Sequence, residues 1–145
     1  MSTLADLLIQ KQAAFYVVPE GLCVLDATRV MNEHGVGAVG VIQGPRLVGI
    51  FTERDVLRRV VAAGRSPSTT RVSAVMTGDV IYAQPDMSIE EARCLMKHRR
   101  IRHLPVLTET DEPIGMISIG DLNAWQCARQ ESEIFHLQEY LYGRV

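Results

Sequence analysis

The sequence predicts a mixed α/β (α+β) fold made of two similar halves. Residues 17–41 match residues 82–106 at a constant offset of 65, which indicates an internal duplication. In each copy a helical spacing of apolar residues is followed by two short apolar segments that a turn separates. The predicted order is therefore strand, helix, strand, strand, helix. One such unit is too small to bury both faces of its sheet, so we expect the copies to pack about a pseudo-twofold axis.

Each copy opens with a short apolar stretch that ends in proline, at 17–19 and at 81–85. Such a stretch suits an edge strand, because proline cannot donate a hydrogen bond to a neighbouring strand. The first helix follows, and in the second copy Ser88 and Glu91 form the Ser-x-x-Glu pattern of a capped helix start. The buried stripes of the two helices are predicted at Val24, Ala27 and Met31, and at Ile89, Ala92 and Met96.

The next two strands of each copy are predicted to pair as a hairpin. A Gly44-Pro45 turn joins the first pair, and a longer polar loop joins the second. A second helix follows each hairpin, over 53–63 and from 119 onward. The paired strands are predicted at 38–43 with 47–52, and at 103–108 with 114–118.

The boundary between the copies is predicted in the short polar linker 64–70. Residues 1–64 then hold an N-terminal segment and the first repeat. Residues 65–145 hold the second repeat and a C-terminal helix.

The C-terminal helix is predicted to run to about Tyr142, because the segment has no proline and Gly143 is a plausible stop. Ile134, Leu137 and Leu141 lie on one helical stripe. This apolar stripe either folds back on the chain's own sheet or pairs with a second chain.

Composition excludes several classes of function. The chain has 145 residues, a net charge of −2 and no apolar run long enough for a membrane span. It has no signal peptide pattern, so we expect a cytoplasmic protein. The basic run 97–103 lacks interleaved aromatic residues, which argues against nucleic acid. No residues have metal-ligand or catalytic spacing, so we expect no metal, no catalytic cofactor and no enzyme.

Both copies end their hairpin in the pattern apolar-Gly-apolar-apolar-Thr/Ser-x-x-Asp, at 48–55 and at 114–121. The second copy also contains Ile-Arg-His-Leu-Pro-Val at 101–106. With the repeated element order, these residues resemble the paired cystathionine β-synthase (CBS) domain, or Bateman module, of the stand-alone type, over 17–125. The resemblance implies an adenosyl ligand such as AMP, ADP, ATP, NAD or S-adenosylmethionine, and control of a separate protein.

Thr52 with Asp55, and Ser118 with Asp121, have two interpretations. Thr-x-x-Asp at a helix start is also a capping box that needs no ligand. Recurrence of the motif in both copies, and the cations of the opposing strand, favour a ligand. In the resembling family the Asp accepts hydrogen bonds from both ribose hydroxyls, and the Thr or Ser hydroxyl meets the phosphate.

The rest of the predicted site follows from the resemblance. The Asp55 cleft is expected to hold phosphate against Arg102 and His103, helped by Arg54, and to hold the base against Ile81, Ala83 and Ile101. The Asp121 cleft is expected to use Val36, Gly37 and Ala38, which carry no charge. It should therefore bind phosphate less well, or accept a different or less charged ligand. Val18 and Pro105 complete the predicted lining.

The leading hypothesis is a sensor that binds an adenine nucleotide between its repeats and signals to an unidentified partner by a change in their geometry. The alternative is a structural module with degenerate clefts, which dimerises or docks through its C-terminal helix. The resemblance also implies a homodimer.

Overall fold

The computed structural model describes residues 1–12 and 14–142. It shows two α/β units, one for each repeat. The buried apolar side chains form two clusters, one in each unit. In chain order the elements are α1 (Leu4–Lys11), β1 (Val17–Pro19), α2 (Val24–His34), β2 (Ala38–Gln43), β3 (Arg46–Thr52), α3 (Glu53–Asp55), a π-helix (Val56–Val61), α4 (Val72–Val75), α5 (Ile89–Arg99), β4 (His103–Leu107), β5 (Pro113–Ser118) and α6 (Ile119–Tyr142).

The first repeat has the predicted sheet. β1 pairs in parallel with β2, and β2 pairs antiparallel with β3, so β1 lies at an edge. The predicted helical stripes are confirmed, because all six of their residues are buried in α2 and α5. Ser88 caps α5 by accepting a hydrogen bond from the Glu91 N–H at 3.1 Å.

The second repeat lacks the strand that the sequence predicted over 81–85. There only Ala83 pairs, by a parallel bridge to Val106, beside the antiparallel pair β4 and β5. Ala83 donates to the Pro105 carbonyl and accepts from the Leu107 N–H, each at 2.9 Å. Pairing stops there because alanine has a weak strand preference, Pro85 has no N–H, and the chain before Ala83 turns aside to line a cavity.

The second helix of the first repeat is only partly the predicted one. The sequence indicated a single helix over 53–63, whereas α3 passes after one turn into the π-helix, whose turns are wider. π-helical turns are rare and often lie at functional sites. Here the π-helix begins directly after Asp55.

The helix that precedes each repeat packs on the other repeat. Leu4 and Leu7 of α1 belong to the core of the second repeat, and Val72 and Val75 of α4 belong to the core of the first. The anchoring hydrogen bonds are equivalent, because Leu4 N–H donates to the Met87 carbonyl at 2.9 Å as Val72 N–H donates to the Leu22 carbonyl at 2.8 Å. The duplication therefore includes the leading helices.

Two glycines allow these helices to approach the sheets closely. A Cβ on Gly115 of β5 would lie 2.5 Å from Leu8 Cδ2 of α1. A Cβ on Gly49, at the same place in β3, would collide with the Met76 side chain beyond α4. Glycine is needed at both positions for packing rather than for backbone freedom.

The second half of α6 projects from this body. Ile134, Phe135 and Leu137 are each 57% exposed, and Tyr140 and Leu141 are more exposed still. The stop predicted at Gly143 lies outside the described residues. None of the helices in the described part of the chain has the length and apolar character that a bilayer-spanning segment needs.

Candidate functional site

A cavity of about 700 Å³ lies at the seam between the two repeats. Its walls come from parts of residues 50–59 in the first repeat, from the connection 77–81, and from parts of 100–103 and 118–123 in the second repeat. The size is within the range of pockets that take small ligands. Because both repeats contribute walls, a ligand here would contact both halves of the pair.

Asp55 is the buried carboxylate of this cavity, with 6% of its surface exposed. The capping box is present: Thr52 N–H and Oγ1 donate to Asp55 Oδ2 at 3.0 and 3.2 Å, and Asp55 N–H donates to Thr52 Oγ1 at 3.2 Å. The other oxygen, Oδ1, lies 3.7 Å from Arg59 Nε. Capping thus uses one carboxylate oxygen and leaves the second to accept further hydrogen bonds.

The cavity lining carries more positive than negative side chains. Within residues 1–12 and 14–142, five arginines line it against three carboxylates. Guanidinium groups bind phosphate with paired hydrogen bonds, and a concave site concentrates their field. The arginines are Arg54, Arg58, Arg59, Arg100 and Arg102, and the carboxylates are Glu53, Asp55 and Asp79.

Arg100 has a left-handed backbone with φ 55°, as the residue that ends α5. The equivalent residue of the first repeat is Gly35, with φ 63°. An arginine is strained in this conformation, and such strain is typical of positions that serve a site. The turn brings the Arg100 side chain to the cavity wall.

His103 lies in the cavity wall beside these arginines. Burial lowers the pKa of His103 below its usual value of 6.5. The charges of Lys11 and Arg102 also lower this pKa, while Glu53 and Asp121 oppose the shift. The lowered pKa favours the neutral imidazole, whereas a bound phosphate would favour its protonation.

Several predicted residues line the cavity and others do not. Those that line it are Thr52, Arg54, Asp55, Ile81, Ile101, Arg102, His103, Gly37 and Ser118. Val18, Ala38, Ala83 and Pro105 are instead buried in the repeats, and Val36 borders a separate groove beside α2. The sequence did not single out Arg58, Arg59, Asp79 or Arg100, although Arg100 belongs to the basic run that it noted.

The second half-site repeats the two backbone hydrogen bonds of this box. Ser118 N–H donates to Asp121 Oδ2 at 2.8 Å, and Asp121 N–H donates to Ser118 Oγ at 3.0 Å. Lys11 of α1 also reaches Asp121 Oδ2, at 2.7 Å. Ser118 and Gly37 line the cavity, but Asp121 itself lies outside its lining.

Two pseudo-symmetric α/β repeats with an arginine-rich cavity at their seam define a class of paired α/β modules. The chain belongs to the CBS domain family, whose sequence profile matches residues 9–62 and 72–126. The recognition of a CBS pair from the sequence is thus confirmed, as is its α/β fold class.

The chain is similar to known proteins of this family in structure and in sequence. A CBS-domain protein from Burkholderia ambifaria MC40-6 has 41% sequence identity and a TM-score of 0.81, over 89% of this chain and 96% of that one. The mitochondrial CBS domain-containing protein CBSX3 of Arabidopsis thaliana is 38% identical over 125 residues, 83% of this chain. The chain spans only 60% of the length of that relative.

A second solved structure resembles the chain in fold alone. It is the CBS domain pair of protein MJ0100 in complex with 5′-methylthioadenosine and S-adenosyl-L-methionine, with 18% identity and a TM-score of 0.80. The similarity covers 89% of this chain and 98% of the MJ0100 chain.

Proposed function

We propose that the chain is a regulatory module, not an enzyme, that binds an adenine nucleotide in the cavity between its repeats. The observation that carries this proposal is the buried Asp55, whose Oδ1 takes no part in the capping box and lies in a cavity rich in arginine. Oδ1 suits the ribose hydroxyls, and the arginines suit the phosphates. The adenosyl ligands of the MJ0100 pair support this class of ligand.

The base has an apolar wall available on the second repeat. Val80, Ile81 and Ile101 line the cavity and are only partly buried, so they can contact a planar ring. Arg102 and His103 follow Ile101 directly along the chain. A nucleotide with its ribose on Asp55 would therefore bridge the two repeats.

Arg59 offers a route from the ligand to the rest of the pair. Its Nε faces Asp55 Oδ1 at 3.7 Å, while its Nη1 donates to the Met76 carbonyl at 2.8 Å and to that of Val75 at 3.3 Å. A ribose bound to Oδ1 would compete for the arginine and change its hold on the end of α4. Occupancy would then alter how the repeats sit together, which a separate partner could sense.

The test is a set of melting curves with AMP, ADP, ATP, NAD and S-adenosylmethionine. A ligand at about 100 times its Kd adds about 2.7 kcal/mol to the unfolding free energy, and in a chain of this size each kcal/mol raises the Tm by about 2–4 °C. We expect such a rise in the native chain and none in Asp55→Asn, whose amide oxygen still accepts the capping bonds.

Asp26→Asn is the matched control for this experiment. It removes the same charge from an exposed position of α2, where Asp26 pairs only with Arg29 among the described residues. It should keep the full ligand shift. A nucleotide-free chain that shows no shift with any of the five ligands would contradict the proposal.

The exposed stripe of α6 favours a second candidate, a dimerisation module. Ile134, Leu137 and Leu141 are more than half exposed on one helix face, and a second copy could cover them. Sedimentation velocity should then show a dimer that Leu137→Glu dissociates, while the exposed control Gln138→Glu does not. A native chain that sediments as a monomer would count against this candidate. Dimerisation is compatible with nucleotide binding, but if Asp55→Asn leaves every property intact, this candidate alone remains.

A further inference from the structure

α1 makes a contact in the second half-site that has no counterpart in the first. Lys11 Nζ donates to Asp121 Oδ2 at 2.7 Å and to the Met116 carbonyl at 2.9 Å. Both charged side chains are shielded, with 27% exposure for Lys11 and 20% for Asp121. The counterpart Asp55 faces Arg59 at the longer distance of 3.7 Å. The second carboxylate is therefore the more firmly paired.

The contact exists because the two leading helices differ in length. α4 ends at Val75, and the chain then pairs as a strand, with Ile50 and Thr77 exchanging both backbone hydrogen bonds. α1 continues a full turn past Leu7, the counterpart of Val75, and ends at Lys11. Met116 is the counterpart of Ile50, and its carbonyl accepts a hydrogen bond from the Lys11 ammonium instead of from a backbone N–H.

We infer that Lys11 closes the second half-site, so that the chain takes one adenine nucleotide, at Asp55. The inference rests on the proposed function, because it concerns which half-site the nucleotide uses. Asp121 Oδ2 already accepts from the Ser118 N–H and from Lys11. The Lys11 ammonium neutralises this carboxylate, so both of its oxygens, Oδ1 included, are weaker acceptors for ribose hydroxyls. Arg59 lies farther from the Asp55 carboxylate and weakens it less.

The binding test is equilibrium dialysis of radiolabelled ATP and, in parallel, AMP against the full chain. The native chain should bind one equivalent, and Asp55→Asn should bind none. Lys11→Met keeps the length of the side chain and removes its charge, so it should bind two equivalents, and adding Asp121→Asn should restore one. Two equivalents on the native chain, or one on Lys11→Met, would overturn the inference.

The sequence supplies a matched control and a second measurement, because Lys97 is the only other lysine. Lys97→Met removes the same charge from the exposed end of α5 and should still bind one equivalent. Without nucleotide, an amine-acylating reagent should label Lys11 several-fold more slowly than Lys97, and Asp121→Asn should remove that protection. Equal rates in the native chain would contradict the closure. If no form binds ATP or AMP, the proposed function fails, and the closure is then decided by the acylation rates alone.

Discussion

Leu4 stabilises a repeat from which it is distant in sequence, and truncating it tests the crossing of the leading helices. Its side chain is fully buried among the core residues of the second repeat. Loss of a buried leucine side chain to alanine costs about 2–5 kcal/mol. With about 3 kcal/mol for Leu4→Ala and about 2–4 °C per kcal/mol, the Tm should fall by about 6–12 °C. Ile9→Ala, in the same helix but at a residue 74% exposed, should change stability by less than about 0.5 kcal/mol.

Hydrogen exchange followed by mass spectrometry locates where the stability is lost. Leu4→Ala should reduce protection mainly in α5 and β4 of the second repeat, while α2 and β2 keep theirs. The reasoning is refuted if Leu4→Ala melts like Ile9→Ala, or if protection falls first in the repeat that follows α1 in sequence.

Three further predictions concern single side chains. Burial lowers the pKa of His103. The contribution of the neutral imidazole to stability is therefore present above pH 6.5 and is lost as the pH falls through the folded-state pKa. In urea unfolding, the free energy of unfolding of His103→Asn should fall less on acidification than that of the native chain. Arg100→Gly should relieve the left-handed strain, leaving stability within about 1 kcal/mol of native or above it, while ATP binds more weakly by dialysis. Gly49→Ala should cost about 1–3 kcal/mol through the collision with Met76, whereas Gly21→Ala, with open space around its Cβ, should be nearly neutral in the same denaturation assay.

Most of the sheet and the main helices could be predicted because their signals are local. The stripe of α2 and the paired strands β2 and β3 each repeat a pattern over six or more residues. α4 was missed because four residues show no periodicity, and contacts with the other repeat hold them in place. The π-helix was missed because its sequence has the same apolar spacing as an α-helix.

The site was predictable where a motif marks it and not where tertiary contacts form it. Thr52 and Asp55 share a recognisable junction between strand and helix. In the sequence Arg100 is only one member of the basic run 97–103, whereas in the structure its left-handed backbone brings it to the cavity. The pairing of Lys11 with Asp121 joins residues 110 positions apart, and no sequence pattern indicates it. The division of the chain at residue 64 stays a prediction.

Each leading helix packs on the repeat that it does not precede, and this exchange suggests how such a chain could arise. A single repeat with its own leading helix has a surface on which such a helix can pack. Two identical copies could therefore exchange their leading helices as a domain-swapped dimer. The present chain has the arrangement of such a dimer joined end to end. In a symmetric pair every substitution occurs twice, whereas joining frees the two halves to differ. The close pairing of Lys11 with Asp121, and the more distant pairing of Arg59 with Asp55, are differences that only a joined pair can keep.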